Sequence, residues 1–336
     1  MATVTTVKEV VPEVGGSFVV DEAVIEAFPQ NSRLVDAFTY GTAAWTRAVR
    51  ISIELEDGGS QSYFLKCASE DRGKMMMEGE YNSMRELHHY LPTFVPRPIT
   101  WGKFKHAPVD TYFFLAEFIE MSTGAPDPAD FAFQLSQLHQ KSQSPTGKFG
   151  FHITTCHGPN WQDIRWHESW CLYYTRLLTQ FFEREIEHNG PDSEYENEFQ
   201  ILKSKTIPQI LEPLQTDGRT LEPRLIHGDL WEENCGTKLE TGDPVVFDAA
   251  SMYAHNEFEL GMWRRDIVRF GKAHMRQYLR LVAPSEPREQ WDDRNRLYSI
   301  KYDLAHSIAL PETAESQRQL IIDNMRFLNE KYAAYD

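Results

Sequence analysis

The sequence lacks paired cysteines, long apolar runs and any excess of positive charge. Its four cysteines, Cys67, Cys156, Cys171 and Cys235, lie far apart, and no CxxC pair is present. The spacing excludes a zinc knuckle and a redox dithiol. We therefore expect reduced, mostly buried thiols in a cytoplasmic protein.

Membrane and nucleic-acid functions are also disfavoured. No apolar run reaches the ~18 residues that a membrane-crossing helix needs. The first residues lack a basic segment followed by an apolar one, so we expect neither a secretory signal nor a transit peptide. The chain has 50 Asp and Glu against 34 Lys and Arg, a net charge of -16. This excess argues against a nucleic-acid partner and against anionic lipid, because both favour clustered Lys and Arg.

What is present is the composition of a globular protein with two lobes. The 336 residues are 41% hydrophobic and 25% charged, and at about 150 residues per domain this length predicts two lobes. The first part of the chain alternates apolar and polar residues in strand-like runs, with one stretch of helical spacing. The expected elements are strands over 34–40, 47–55, 63–67 and 112–118, a turn at Asp57-Gly58-Gly59, and a helix over 75–90.

Beyond about residue 125 the apolar spacing becomes helical. Helical spacing follows Pro128, continues from Trp166 to Phe181, and recurs from Ile321 to Tyr332. We therefore predict an α+β fold of two lobes, β-rich at the N-terminus and mainly helical at the C-terminus. The predicted division is an N-terminal extension at 1–30, a nucleotide-binding lobe at 31–120, and a catalytic and substrate lobe at 121–336.

One short stretch carries the chemistry. Asp229 and Asn234 stand five positions apart, and the apolar run at 245–247 then leads into Asp248. Phosphoryl transfer needs oxygen ligands for Mg²⁺ and a carboxylate that accepts the proton of the attacking hydroxyl. The pattern D-x-x-x-x-N followed by a strand-end Asp is typical of kinase-type enzymes. It predicts Asp229 as the base and Asn234 and Asp248 as magnesium ligands.

A cation for the phosphates is expected upstream on a strand. Lys66 lies inside the strand-like run 63–67, and the next helix offers Glu78, Glu80 and Glu86 as partners. Glu80 is favoured because it borders the apolar stripe of that helix. The order Lys, Glu, Asp, Asn, Asp is the order that a bilobal kinase requires.

At these residues the sequence resembles a known family. His227-Gly-Asp-Leu-Trp231-x-x-Asn234, followed by Val-Val-Phe-Asp248-Ala-Ala-Ser251-x-Tyr253-x-His255, is similar to the fructosamine kinase (ketosamine-3-kinase) family. That family belongs to the aminoglycoside and choline phosphotransferase group, and the resemblance runs from about Phe38 to the C-terminal helices. It implies a protein-kinase-like fold, ATP and Mg²⁺ as cofactors, and phosphorylation of the sugar 3-hydroxyl of ketoamines in deglycation repair.

The resemblance also implies roles for residues of the N-terminal lobe. It makes Lys66 the phosphate-binding lysine, with Glu80 as its partner. Backbone groups at Glu117, Phe118 and Ile119 would pair with adenine. The segment that begins with Gly41 and Thr42 occupies the position of the nucleotide loop.

Three further residues are candidates for the acceptor site. Trp231 is near the base in sequence and would pack against the sugar, with core packing as the alternative. His255 and Glu257 follow Asp248 and are candidates for lining the acceptor site. His227 is interpreted as structural, as a hydrogen-bond partner of the backbone near the catalytic loop.

The sequence departs from the family at two places, where Asn256 and Glu259 replace the usual Arg and Asp. The expected partners are ketoamine small molecules or glycated protein lysines, and the expected state is a monomer or weak dimer. Two alternatives stay open. One is a kinase of the same fold for another hydroxylated amine, such as an aminoglycoside or choline. The other is a non-catalytic, kinase-like binding protein.

Overall fold

The computed structural model describes residues 14–41 and 45–333, which form a β-rich lobe followed by a helical lobe. The strands are β1 (Val14–Ser17), β2 (Arg33–Tyr40), β3 (Arg47–Glu54), β4 (Ser60–Ser69), β5 (Pro98–Lys103), β6 (Thr111–Glu117), β7 (Met121–Thr123), β8 (Cys156–His157), β9 (Asn160–Trp161), β10 (Arg224–Ile226), β11 (Cys235–Lys238), β12 (Pro244–Val246) and β13 (Met252–Ala254). The helices are α1 (Glu22–Ile25), α2 (Glu70–Tyr90), α3 (Pro128–Lys141), α4 (Trp170–Asn189), α5 (Ser193–Ile201), α6 (Ile207–Leu211), α7 (Asn256–Glu259), α8 (Lys272–Leu281), α9 (Trp291–Ala309) and α10 (Ala314–Tyr332).

The N-terminal lobe is a six-stranded antiparallel sheet in the order β1-β2-β3-β4-β6-β5. Along β3 the apolar residues alternate, so Val49, Ile51 and Ile53 are fully buried on one face. The β3–β4 hairpin turns at the expected place. Gly58 adopts φ +81° there and donates its N–H to the carbonyl of Leu55 at 3.0 Å.

The described part of the predicted N-terminal extension packs into this lobe. Strand β1 pairs with β2, and the segment around α1 buries Val20, Val24 and Phe28 against the sheet residues Phe113 and Leu115. The apolar side chains of 20–28 cover one face of the sheet. Residues 14–30 are therefore part of the N-terminal lobe, and a boundary at residue 31 does not separate them from it.

Helix α2 carries a functional side chain on its buried face. It begins at Glu70, five residues before the predicted start. The sequence pattern missed this first turn because residues 70–74 contain no apolar residue that would mark a helix. Met77, Met84 and Leu87 are buried on the face that packs on the protein core. Glu80 lies among them and is also buried, so its carboxylate is directed into the protein.

The C-terminal lobe is built around α4 and α9. Trp170 is fully buried and donates its indole N–H to the Tyr298 hydroxyl at 2.7 Å. Helix α4 begins at Trp170 rather than at the predicted Trp166, because the Ser169 hydroxyl caps it by accepting the N–H of Leu172. Among the described residues, no helix combines the length and apolarity needed to span a bilayer.

Short strands position the segment that carries Asp229, Asn234 and Asp248. β10 pairs with β13, and β11 pairs with both β12 and β7. The residues 227–234 connect β10 to β11, and Asp248 follows β12 closely. The N–H of Phe247 donates to the carbonyl of Asn234 at 3.0 Å, which ties the two functional segments together.

Candidate active site

Lys66 connects the two lobes through its ammonium group. Its Nζ lies 2.8 Å from Oε2 of Glu80 and 2.6 Å from Oδ1 of Asp248, and the lysine is only 8% exposed. Glu80 is thus the partner among the three candidate glutamates. Glu86 instead accepts the hydroxyl of Tyr253 at 2.6 Å.

The three charges determine each other's ionisation. Burial alone would lower the pKa of Lys66, but the carboxylates of Asp248 and Glu80 raise it above its ordinary value. Burial raises the pKa of Glu80. Burial also opposes ionisation of Asp248, yet the adjacent Lys66 ammonium and hydrogen bonds leave its pKa below the ordinary value. The site therefore holds a cation and an ionised Asp248 together.

Asp229 and Asn234 are joined within the connecting loop. Asn234 donates its Nδ2 to the backbone carbonyl of Asp229 at 2.8 Å and to the carboxylate Oδ2 at 3.1 Å. Since the amide nitrogen is used in this way, the Oδ1 of Asn234 is the atom left to act as a ligand. The spacing of five residues is thus the span of one hydrogen-bonded turn.

The donor set fits magnesium. Asn234 offers an amide oxygen and Asp248 a carboxylate whose side chain is 36% exposed, and Mg²⁺ prefers such oxygen ligands. Across 14–41 and 45–333, no cluster of three or more His, Cys, Asp or Glu is arranged to hold a metal ion. Two protein oxygens suit Mg²⁺, because it keeps several waters and binds substrate phosphates.

Buried groups behind the loop hold its backbone. His227 contacts the carbonyl of Phe247 through Nε2 at 2.8 Å, which is the structural contact expected from the sequence. Glu259 is fully buried and accepts the backbone N–H groups of His227 and Gly228 at 2.5 and 2.9 Å. Gly228 adopts φ +85°, and a Cβ there would lie 2.2 Å from the carbonyl oxygen of Ala250, so the position requires glycine.

Two residues that the sequence analysis did not single out contact Asp229 or its neighbour. His157 places Nε2 3.1 Å from Oδ1 of Asp229, and Lys301 places Nζ 2.8 Å from Nδ1 of His157. One signal in the sequence could have found Lys301. It interrupts the buried helical stripe of Leu297, Leu304 and Ile308, where a lysine is unexpected. No comparable signal marks His157.

The two segments predicted to bind the nucleotide begin at Gly41 and at Glu117. Gly41 is exposed at φ +72°, and Thr42 lies outside the described residues. At the end of β6, the N–H of Glu117 donates to Arg97 at 2.9 Å and that of Phe118 donates to Ser62 at 3.2 Å. These two donors are used within the protein, so the prediction that they bind adenine needs restricting to the other backbone groups of 117–119.

His255 and Glu257 do not line the acceptor site, contrary to the prediction. His255 is fully buried between the hydroxyls of Tyr298 and Ser285, at 2.9 and 3.0 Å. Glu257 is 2% exposed and pairs with Arg294 at 2.7 Å. The chain enters α7 immediately after β13, and this turn directs both side chains into the lobe. Trp231 is half-buried against the core and keeps both of its proposed roles.

Comparisons with known proteins identify the family of the chain. The family model for fructosamine kinase matches residues 33–328. The chain is 28% identical to the chloroplastic protein-ribulosamine 3-kinase of Oryza sativa subsp. indica, over 75% of this chain and 69% of the relative. It is 27% identical to the ketosamine-3-kinase of Mus musculus, over 59% and 68% of the two chains.

Solved structures show the same fold. A protein from Haemophilus somnus 129PT assigned as a fructosamine-3-kinase superposes with a TM-score of 0.71 at 19% identity, over 92% of this chain and 96% of that one. An aminoglycoside phosphotransferase in complex with AMP-PNP and hygromycin B superposes with a TM-score of 0.61 at 14% identity, over 94% and 99%. The fold is that of the kinase-like phosphotransferases.

Proposed function

Because the chain belongs to the fructosamine kinase family and is a phosphotransferase acting on a hydroxyl group, we propose that it transfers the γ-phosphate of ATP to the sugar 3-hydroxyl of a ketoamine. Ketoamines are the ribulosamine and fructosamine adducts that sugars form with amines, including protein lysines. The phosphorylated adduct then decomposes and frees the amine, so the protein would repair glycated proteins. The observation that carries this proposal is that Lys66 contacts both Glu80 and Asp248, while the residue before Asp248 is hydrogen-bonded to Asn234, which contacts Asp229.

Each residue has a defined task in this reaction. Asp229 orients the acceptor hydroxyl and takes its proton as the oxygen attacks the γ-phosphorus. Lys66, held by Glu80, binds the α- and β-phosphates and neutralises their charge. Magnesium, held by Asn234 and Asp248, would supply further charge neutralisation at the phosphates. The barrier falls mainly through positioning and electrostatic stabilisation.

Adenine would be bound at the end of β6. The N–H groups of Glu117 and Phe118 already donate within the protein, so the pairing groups are their carbonyl oxygens and the backbone of Ile119. The segment that begins at Gly41 would occupy the position of the nucleotide loop. Trp231, beside the base in sequence and half-buried, would pack against the sugar.

The names of the relatives support a ketoamine as acceptor. One is a protein-ribulosamine 3-kinase and the other a ketosamine-3-kinase. A ketoamine carries a protonated secondary amine, which suits a chain with a net charge of -16. The substrate would be a small ketoamine or a glycated lysine of a protein.

The deciding experiment measures ADP release from Mg-ATP with four acceptors: ribuloselysine, fructoselysine, choline and an aminoglycoside. The Asp229→Asn variant is the blank, because it keeps the shape of the side chain and removes its basicity. We expect turnover with a ketoamine, and the faster of the two ketoamines names the sugar. Turnover with choline or the aminoglycoside alone would discard the repair role. Nucleotide binding without turnover of any acceptor would favour the binding-protein alternative.

A further inference from the structure

A chain of hydrogen bonds runs from a buried lysine to the proposed base. Lys301 on α9 is 0% exposed, and its Nζ lies 2.8 Å from Nδ1 of His157. The other ring nitrogen of His157 lies 3.1 Å from Oδ1 of Asp229. In the described parts of the chain, Lys301 Nζ forms no ion pair with a carboxylate. A buried ammonium without such a partner is costly, so stability alone does not explain the lysine.

The direction of the hydrogen bonds follows from the ionisation of each group. Burial opposes the charge on Asp229, but the hydrogen bond from His157 and the nearby Lys301 leave its pKa below the ordinary value, so it is a carboxylate and an acceptor. His157 must therefore carry its proton on Nε2. Burial lowers the pKa of His157, which keeps the ring neutral and leaves Nδ1 as an acceptor. Lys301 then donates to His157, and His157 donates to Asp229.

The surroundings of Lys301 bring its pKa into the physiological range. Its Nζ lies 4.8 Å from the ring centres of both Phe181 and Tyr302. Burial lowers the pKa of Lys301 to about 7, against the opposing effect of Asp229 and Glu259 and with a further contribution from Arg265. Lys301 therefore changes between its charged and neutral forms near neutral pH.

We propose that His157 and Lys301 are positioning residues for Asp229, an inference that rests on the proposed kinase function. His157 contacts Oδ1 of the carboxylate and Asn234 donates to Oδ2, so the group is held at both oxygens and its remaining lone pairs are left for the acceptor hydroxyl. The charge on Lys301 sets how readily Asp229 takes up a proton. When Lys301 is an ammonium, a proton arriving on Asp229 meets a positive charge, whereas a neutral Lys301 removes this opposition. Turnover should therefore rise as Lys301 loses its proton.

The first test is the dependence of kcat on pH at saturating ketoamine and Mg-ATP. Because burial lowers the pKa of Lys301 to about 7, its neutral fraction rises about tenfold between pH 6 and pH 8, and kcat should rise over this range by up to the same factor. In Lys301→Met this rise should vanish. Lys331→Met is the matched control, since that lysine pairs with Asp293 away from the base. A Lys301→Met profile that still rises like that of the wild type would overturn the proposal.

The second test separates positioning from a merely structural role. His157→Leu removes the donor to Asp229, and we expect kcat to fall about a hundredfold while KM for ATP stays within about twofold. His157→Gln restores a donor and should recover most of this loss. Equal losses in the two variants would show that the donor does not matter. Melting temperatures of both variants are measured alongside, so a folding defect is recognised.

A spectroscopic readout makes the inference independent of the substrate. In protein labelled with ¹⁵N-histidine, long-range imidazole spectra report which ring nitrogen of His157 carries the proton, and His157→Gln assigns the signal. We expect the Nε2–H form, with a shift that titrates near pH 7 and does so no longer in Lys301→Met. If no ketoamine is turned over but this titration is seen, the proposed function fails and the coupling stands. An Nδ1–H form, or a titration that persists in Lys301→Met, overturns the inference itself.

Discussion

The carboxylate of Glu259 accepts a hydrogen bond from the backbone N–H of Gly228 at 2.9 Å, and both residues are buried. A second bond to its other oxygen comes from the N–H of His227. The side chain of Glu259 thus holds the backbone that precedes Asp229, so this residue supports the conformation of the loop that carries Asp229.

Replacing Glu259 should therefore weaken both the fold and catalysis. Glu259→Gln turns one acceptor oxygen into a donor that faces an N–H group, leaving a buried donor unsatisfied. We expect a loss of about 1–3 kcal/mol in the free energy of unfolding and a lower kcat. Urea denaturation measures the first effect. The exposed Glu222→Gln is the control, and equal stability of the two variants would contradict the role of Glu259.

Glu80 and Glu78 provide a matched pair on one helix. Glu80→Ala removes the carboxylate that lies 2.8 Å from Lys66, so the lysine loses its support from α2. We expect kcat/KM for ATP to fall by about tenfold or more, because kinases need this ion pair in place. Glu78→Ala should leave it unchanged. A loss in Glu78→Ala as large as that in Glu80→Ala would point to the helix as a whole.

Glu257 should matter for stability and leave the acceptor site unaffected. Arg294→Met leaves Glu257 buried without its partner, and breaking such a pair costs about 3–5 kcal/mol. We expect a clear drop in melting temperature, with KM for the ketoamine unchanged in the protein that remains folded. If KM rose while the melting temperature stayed at the wild-type value, Glu257 would belong to the acceptor site after all.

Cys67 should not make the enzyme sensitive to oxidants. It follows Lys66 in the chain but points to the opposite face of β4, where burial raises its pKa to about 11. Almost no reactive thiolate exists at neutral pH. We expect wild type and Cys67→Ser to keep equal activity after peroxide treatment. Thiol-reversible inactivation of the wild type alone would establish a redox switch at this position.

Asp229→Asn tests the base directly. The amide keeps the contact with Asn234 but cannot take a proton, so kcat should fall by about 10²–10⁴-fold. Affinity for ATP should hardly change, because the phosphates are held by Lys66 and the metal ligands. Equilibrium binding of a non-hydrolysable ATP analogue measures this. A variant with near-normal turnover would refute the assignment.

The sequence alone determined the fold class and the order of the candidate catalytic residues. The hairpin at Gly58, the buried stripe of α2 and the segment from Asp229 to Asp248 are local patterns, and their spacing depends only on strand and helix geometry. A lysine, a glutamate and an aspartate with these neighbours indicate a kinase before any coordinates are known. The choice of Glu80 over Glu86 also followed from helical periodicity.

Tertiary structure decided which buried polar groups act on the site and which do not. His157 and Asp229 are 72 residues apart, and Lys301 follows another 72 residues later, so no local period brings them together. His255 and Glu257 stand near Asp248 in sequence, yet the turn into α7 directs them into the core. A sequence pattern indicates the face of its own helix or strand on which a side chain lies. Only the packing of distant segments decides whether that face meets the base or the interior, because each buried polar group must find its partner there.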